Sequence, residues 1–296
     1  MPTAVHQTFL AAPKVNLTLR VLGRRADGYH ELDSLVAFAQ GHTEMVGDIL
    51  TFVPGPAASV HVTGPFAGAI SGENLALSAM RLVAERMPEA TLGCVTIDKH
   101  LPVAAGLGGG SADAAFALHL VRLANPALAA RPDWAEIALA LGSDVPVCYR
   151  SQRGRIRGRG EIFVRLKRMP RFSAVLINPQ VPVPADKTAK VFRQLRAPPF
   201  VPERTAAFTE PRYPHDWLDA ICLSSNDLEA PATAIMPAIA EVLAAARADP
   251  RTRLARLSGA GPTCFILPAE KEAAVGLAAD LAARHPNWWV RSVYLR

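Results

Sequence analysis

The strongest constraint on this chain is a run of glycines lying between a strand-like and a helix-like segment: Leu101-Pro102-Val103-Ala104-Ala105-Gly106-Leu107-Gly108-Gly109-Gly110-Ser111-Ala112-Asp113-Ala114-Ala115. Cys94 to Asp98 reads as a short strand, and Ser111 to Leu123 is a strongly apolar helix. Each glycine costs conformational entropy, so a plain strand-to-helix turn does not call for so many of them. Without side chains at Gly106, Gly108, Gly109 and Gly110, the backbone can wrap an anion closely. The free N–H groups and the partial positive charge at the start of the next helix then stabilise phosphate. Two other phosphate cradles are excluded by what is missing. A P-loop needs lysine and a hydroxyl after its last glycine, whereas Gly110 is followed by Ser111-Ala112. A dinucleotide fingerprint needs a third glycine where Ser111 stands, and the opening of the chain is too rich in strands for a first βαβ unit.

The remaining periodicities give an α+β chain with two lobes and no internal repeat. Strands are expected at residues 12–21, 32–39, 49–52 and 59–62, and helices at 74–86 and 134–141, the last ended by Gly142. Arg150 to Glu161 is dominated by glycine and arginine, and a buried strand follows at 172–177. The lobes are therefore expected at 1–162 and 163–296. The second half should hold a Pro-rich loop at 178–184, a mobile segment at 197–214, helices at 235–248 and 271–284, and strands at 254–257, 264–267 and 288–295.

Composition removes several classes. Half the residues are hydrophobic and 20% are charged, which excludes disorder. Ile49 to Gly72 carries no Asp, Glu, Lys or Arg, but Pro54, Pro56, Pro65 and several glycines break it, so it reads as strands and turns with no membrane partner. The net charge of +6 is visible at Arg150, Arg153, Arg155, Arg157 and Arg159. Without interleaved aromatics this run reads as a solvated hairpin, and no nucleic-acid partner is expected. Cys94, Cys148, Cys222 and Cys264 lie too far apart for a metal motif and read as reduced, mostly buried thiols. Met1 to His6 has no export signal, which points to the cytoplasm.

The string Pro102 to Ala115 resembles the phosphate-binding motif of the GHMP small-molecule kinases. Three further segments are similar to motifs of that family: Ala12-Pro13-Lys14-Val15-Asn16 with Asp27-Gly28-Tyr29-His30, Leu141-Gly142-Ser143-Asp144-Val145-Pro146 with Gly158-Arg159-Gly160-Glu161, and Ser258-Gly259-Ala260-Gly261. The resemblance implies a two-lobe GHMP kinase fold, with an amino-terminal lobe like ribosomal protein S5 and a carboxy-terminal ferredoxin-like α/β lobe. It implies ATP as co-substrate with Mg²⁺, and a small cytidine diphosphate-linked polyol as phosphoryl acceptor. Asp27 to His30 favours that acceptor over mevalonate, homoserine or a sugar.

The resemblance also assigns roles. Asp144 and Lys14 would be the catalytic pair. Asn16, Tyr29, His30, Thr188, Phe192, Ser258, Gly259 and Gly261 would contact the acceptor, with Tyr29 able to stack on a pyrimidine and His30 to meet its edge. Asn74, Lys99, Pro102, Gly106, Leu107, Gly108, Gly109, Gly110 and Ser111 would hold ATP. No protein metal cage is expected, since Mg²⁺ should arrive with the nucleotide. Taken residue by residue, blander readings are a helix cap for Asp144, a surface lysine for Lys14, core packing for Phe192 and a plain β-turn at 258–261. Ala104 and Ala112 stand where the family often has glycine and serine.

Overall fold

Pro13 lacks an N–H and divides the first apolar run, so that β1 (Gln7–Ala11) ends before β2 (Lys14–Arg24) begins. The computed structural model describes residues 7–70, 72–131, 133–202 and 208–296. The export reading of residues 1–6 and the middle of the expected mobile segment lie outside these. β3 (His30–Gly41), β4 (Asp48–Gly55) and β5 (Ser59–Thr63) follow, then α1 (Leu75–Arg86), β6 (Leu92–Asp98), α2 (Gly109–Ala124), α3 (Asp133–Leu141) and α4 (Val145–Arg150). β7 (Gly154–Gly158) and β8 (Ile162–Arg165) form the arginine-rich hairpin, and β9 (Phe172–Asn178) comes next. The remaining elements are α5 (Lys187–Leu195), α6 (Asp216–Leu223), α7 (Glu229–Ile235), α8 (Ala238–Ala248), β10 (Thr252–Leu257), β11 (Cys264–Pro268), α9 (Ala273–Arg284) and β12 (Trp289–Leu295).

By packing, the chain separates into two compact units, and neither is one stretch of sequence. The first comprises 1–13, 46–103 and 108–151; the second comprises 14–45, 104–107 and 152–296. In the first, a four-stranded sheet runs β1-β4-β6-β5, with only β5 and β6 parallel. Asn74 starts α1 by accepting the Ala76 N–H at 2.9 Å, and Ala76, Ala79, Met80 and Val83 then form the buried stripe. α2 buries Ala112, Ala114, Ala115, Ala117 and Leu118, and these small side chains let α1 and α4 approach closely.

In the second unit an eight-stranded sheet has the order β10-β11-β9-β12-β3-β7-β8, with β2 added against β3. Its core joins Val175, Ile177, Val191, Leu228, Ile239, Val242, Leu257, Ile266, Leu277 and Val290. The fold is α+β, as expected, with several local departures. The helix expected at 235–248 is α8, which begins only at Ala238 because Pro237 cannot continue the hydrogen-bond ladder from the preceding α7, itself not anticipated. α4, α5 and α6 were not anticipated. The segment read as mobile is tied to β2 at residues 198–200: Arg24 donates to the Pro198 carbonyl and Phe200 donates back to Arg24. The arginine run is not simply solvated either, since Arg155 forms a two-pronged ion pair with the buried Asp33 and also donates to the Phe208 carbonyl. All four cysteines are free thiols, and Cys148 and Cys264 are buried. Among the described residues, no helix is long and apolar enough to cross a membrane.

Candidate active site

Lys14, far from being a surface lysine, is 3% exposed at the first position of β2, with its ammonium donating to Asn16 Oδ1 at 2.9 Å. Its backbone N–H donates to the Leu107 carbonyl at 2.8 Å. Asn16 uses its amide to donate to Ser34 Oγ at 2.8 Å, and its backbone N–H donates to Ser258 Oγ at 3.2 Å. Ser258 Oγ in turn donates to the Gly106 carbonyl at 3.1 Å. Three widely separated motifs thus meet in one hydrogen-bonded network within the second unit.

Glycine is required at the crossing point of that network. Gly106 sits at φ +79°, and a Cβ there would lie 2.6 Å from the Ser258 carbonyl oxygen and 2.8 Å from that of Gly261. Gly259 and Gly261 are also left-handed, at +56° and +72°. The turn they form is held by Asn226, whose amide donates to the Leu257 and Gly259 carbonyls at 2.8 and 2.9 Å. Asn226 was missed by sequence reasoning, since nothing near it resembles a ligand motif.

Of the residues assigned to a pyrimidine, His30 and Phe192 are together, with ring centroids 4.7 Å apart and planes 27° from parallel. Burial pushes the His30 imidazole below its ordinary value, and Arg24 adds to the effect. The ring is therefore neutral at pH 7, with one nitrogen donor and one acceptor. Tyr29 is 57% exposed, with the Arg159 guanidinium 4.7 Å above its ring. Thr188 is exposed in the first turn of α5.

The first unit carries the rest. Gly108, at φ +65°, turns the chain into α2; Gly109, Gly110 and Ser111 form its first turn, and Gly110 is exposed with open space where a Cβ would stand. Pro102 is buried before the loop; Leu107, which belongs to the second unit, is buried as well. Asn74 is engaged as the α1 cap. Asp144 is half-buried at the start of α4, and its side chain makes no capping hydrogen bond, which removes the plain cap reading.

Lys99 is placed differently from a lysine offered to a nucleotide. It is 4% exposed, and its ammonium lies 2.6 Å from both Asp48 Oδ2 and Asp113 Oδ2. Asp48 Oδ1 also accepts the N–H groups of His100 and Leu101, at 2.7 and 2.8 Å. The triad joins β6, the entry to the glycine loop and the first turns of α2. Burial works against the Lys99 charge, but the Asp113 and Asp48 carboxylates outweigh it and hold its pKa above the ordinary value. Burial raises Asp113 to about 7, with Lys99 pulling it down and Asp48 pushing it further up. Asp113 Oδ1 has no hydrogen-bond partner among the described residues.

A carboxyl raised on folding binds its proton more readily in the folded chain than in the unfolded one. Its unfavourable contribution is absent below about pH 4 and grows as pH rises to about 7. Asp113→Asn should therefore reduce the fall in unfolding free energy between pH 5 and pH 8, measured by urea titration at both values. A pH dependence equal to that of the parent protein would show that Asp113 does not titrate in this window.

The model of the GHMP kinases N terminal domain matches residues 74–152, and that of the GHMP kinases C terminal matches residues 214–287, on either side of the expected lobe boundary. The chain is 46% identical over 292 residues to the 4-diphosphocytidyl-2-C-methyl-D-erythritol kinase of Rhodopseudomonas palustris (strain ATCC BAA-98 / CGA009), with 95% of each covered. To that of Bradyrhizobium sp. (strain BTAi1 / ATCC BAA-1182) it is 44% identical, covering 94% of this chain and 93% of the other. A crystal structure of 4-(cytidine 5'-diphospho)-2C-methyl-D-erythritol kinase superposes with a TM-score of 0.74 at 32% identity, covering 97% of this chain and 99% of that one. Homoserine kinase from Cytophaga hutchinsonii gives 0.66 at 14% identity, over 100% and 96%, a likeness of fold alone.

Proposed function

Since the chain belongs to the GHMP kinase family, among the 4-diphosphocytidyl-2-C-methyl-D-erythritol kinases, we propose that it transfers the terminal phosphoryl group of ATP to the 2-hydroxyl of 4-diphosphocytidyl-2-C-methyl-D-erythritol, a step of the non-mevalonate isoprenoid pathway. The observation that carries this reading is the network joining Lys14 and Asn16 to Ser258 and Gly106. It fixes an ammonium beside two backbone turns of the kind that accept phosphates.

Phosphoryl transfer asks a protein for position and positive charge more than for covalent chemistry. Asp144 accepts the proton of the acceptor hydroxyl as the oxygen–phosphorus bond forms and the bond to the leaving ADP oxygen breaks. Lys14, its rotamer held by Asn16, orients that hydroxyl and offsets the charge that develops. Backbone N–H groups of Gly108 to Ser111 receive the ATP phosphates, and the Ser258 to Gly261 turn receives the diphosphate of the acceptor. Among the described residues, no group of three or more His, Cys, Asp or Glu could hold a metal ion. Mg²⁺ would arrive with ATP: the Ser111 hydroxyl would be its ligand from this chain, and the ion would supply charge neutralisation at the phosphates. In chain order, 1–162 holds the residues assigned to ATP, and 163–296 holds Thr188, Phe192 and the second glycine turn. A cytoplasmic setting suits a chain with four free thiols.

The reading is tested by ATP consumption with 4-diphosphocytidyl-2-C-methyl-D-erythritol beside mevalonate and homoserine, with product mass recorded. A gain of one phosphate on the cytidine compound alone is expected. Turnover of another alcohol instead would remove the substrate assignment but keep the fold. Tyr29→Ala should raise the KM for the cytidine substrate about tenfold, the usual worth of one base–aromatic stack, and leave the KM for ATP unchanged. An unchanged KM for the cytidine substrate would take Tyr29 out of base recognition.

A further inference from the structure

Lys187, the first residue of α5, is 5% exposed, although its neighbours Asp186, Thr188, Ala189 and Lys190 are all exposed. Its ammonium donates to the Ala104 carbonyl at 2.8 Å and, in a second short bond, to the Gly261 carbonyl. Among the described residues no carboxylate pairs with it, and burial alone pushes its pKa down to about 8. Removing an ammonium from water costs several kcal/mol, which two carbonyl dipoles offset only in part. The charge is thus under-compensated where two segments of unusual backbone meet. Ala104 is left-handed at φ +54° without being glycine, and Gly261 closes the second glycine turn at +72°. The surroundings explain why the charge has not been quenched. Ala104 to Leu107 and Ser258 to Pro262 contain no ionisable side chain. Asp186, Lys190 and Arg193 pair with one another at the surface, and Glu229, on the neighbouring α7, is taken by Arg247 and the Leu257 N–H.

We propose that Lys187 is a positioning residue of the phosphate site, clamping the Ala104 turn to the Gly261 turn and holding behind them a positive charge that the phosphates of the bound substrates neutralise. This rests on the reading of both loops as phosphate-binding. The same helix carries Phe192, stacked on His30, so the clamp also ties the base contacts to the phosphate contacts through one rigid element.

The test is Lys187→Ala, assayed with the cytidine substrate alone and with added propylammonium or 1-propanol. The expected result is a fall in kcat of about thirtyfold, with KM for the cytidine substrate changed less than about threefold, and recovery with propylammonium but not with propanol. Equal recovery with both would reduce Lys187 to a space-filling role, and parent-like kcat would remove it altogether. Lys187→Met, which keeps the volume, serves a second readout: hydrogen exchange at the Gly261 and Thr263 amides, which donate to Ser258 and Ala105 across the clamped turns, should quicken at least about tenfold. Unchanged exchange would overturn the clamp. Exchange does not depend on turnover, so a parent protein that phosphorylates none of the acceptors would overturn the functional reading while the exchange result still decides the clamp.

Discussion

Asp144→Asn lowers kcat about a thousandfold while the affinity for ATP stays within about a factor of two of the parent value, the size expected when a positioned proton acceptor is lost. The amide has nearly the shape of the carboxylate but does not take a proton. Asp144 is half-buried at the first position before α4, and its side chain makes no capping bond to that helix. Because the substitution is nearly isosteric, thermal unfolding should show a midpoint close to the parent's. Single-turnover kinetics with saturating ATP separates chemistry from binding. Turnover within about threefold of the parent would remove Asp144 from the chemistry and leave positioning by Lys14 as the main contribution.

Asp48→Ala destabilises the protein by about 3–5 kcal/mol, the usual result of removing one partner from a buried ion pair. Asp48 is fully buried and accepts three hydrogen bonds, from the Lys99 ammonium and from the N–H groups of His100 and Leu101. Truncation leaves two backbone donors without their acceptor and returns Lys99 to Asp113 alone. The loss should appear in urea unfolding at pH 7, and it should fall on the glycine loop as well, because Leu101 begins that segment. KM for ATP should rise at temperatures where the variant is still folded. A loss below about 1 kcal/mol would mean that water replaces the carboxylate, and that the triad is not the anchor of the loop.

What was legible in the sequence is the chemistry that depends on the backbone. A segment that turns left-handed or comes within 3 Å of another main chain strongly favours glycine, so Gly106, Gly108, Gly259 and Gly261 stand out before any coordinates are seen. Lys14 and Asn16 were legible only through their resemblance to a motif, since their burial is decided by Ser34, Leu107 and Ser258 from distant parts of the chain. Lys99 was read as a nucleotide contact, whereas its ammonium is engaged by Asp48 and Asp113. A lysine before a glycine loop looks the same whether it faces a phosphate or a buried carboxylate. Lys187 was invisible for a related reason, because its partners are main-chain carbonyls, which leave no trace in side-chain composition. The short α4, α6 and α7 hold too few residues for periodicity to separate them from turns, and Pro237 was overlooked inside an otherwise helical pattern.

The strand order of the larger sheet also governs how the chain is made. β12 lies between β9 and β3, pairing Val290 with Ile177 on one side and Leu295 with Ala39 on the other. During synthesis β3 emerges early, yet this edge stays open until residues 289–295 have left the ribosome. β2 and β7 cover the rest of β3 as they emerge, so what the nascent chain leaves open until its last residues is the 39–41 end of β3 and the facing edge of β9, the condition under which chaperone capture competes with aggregation.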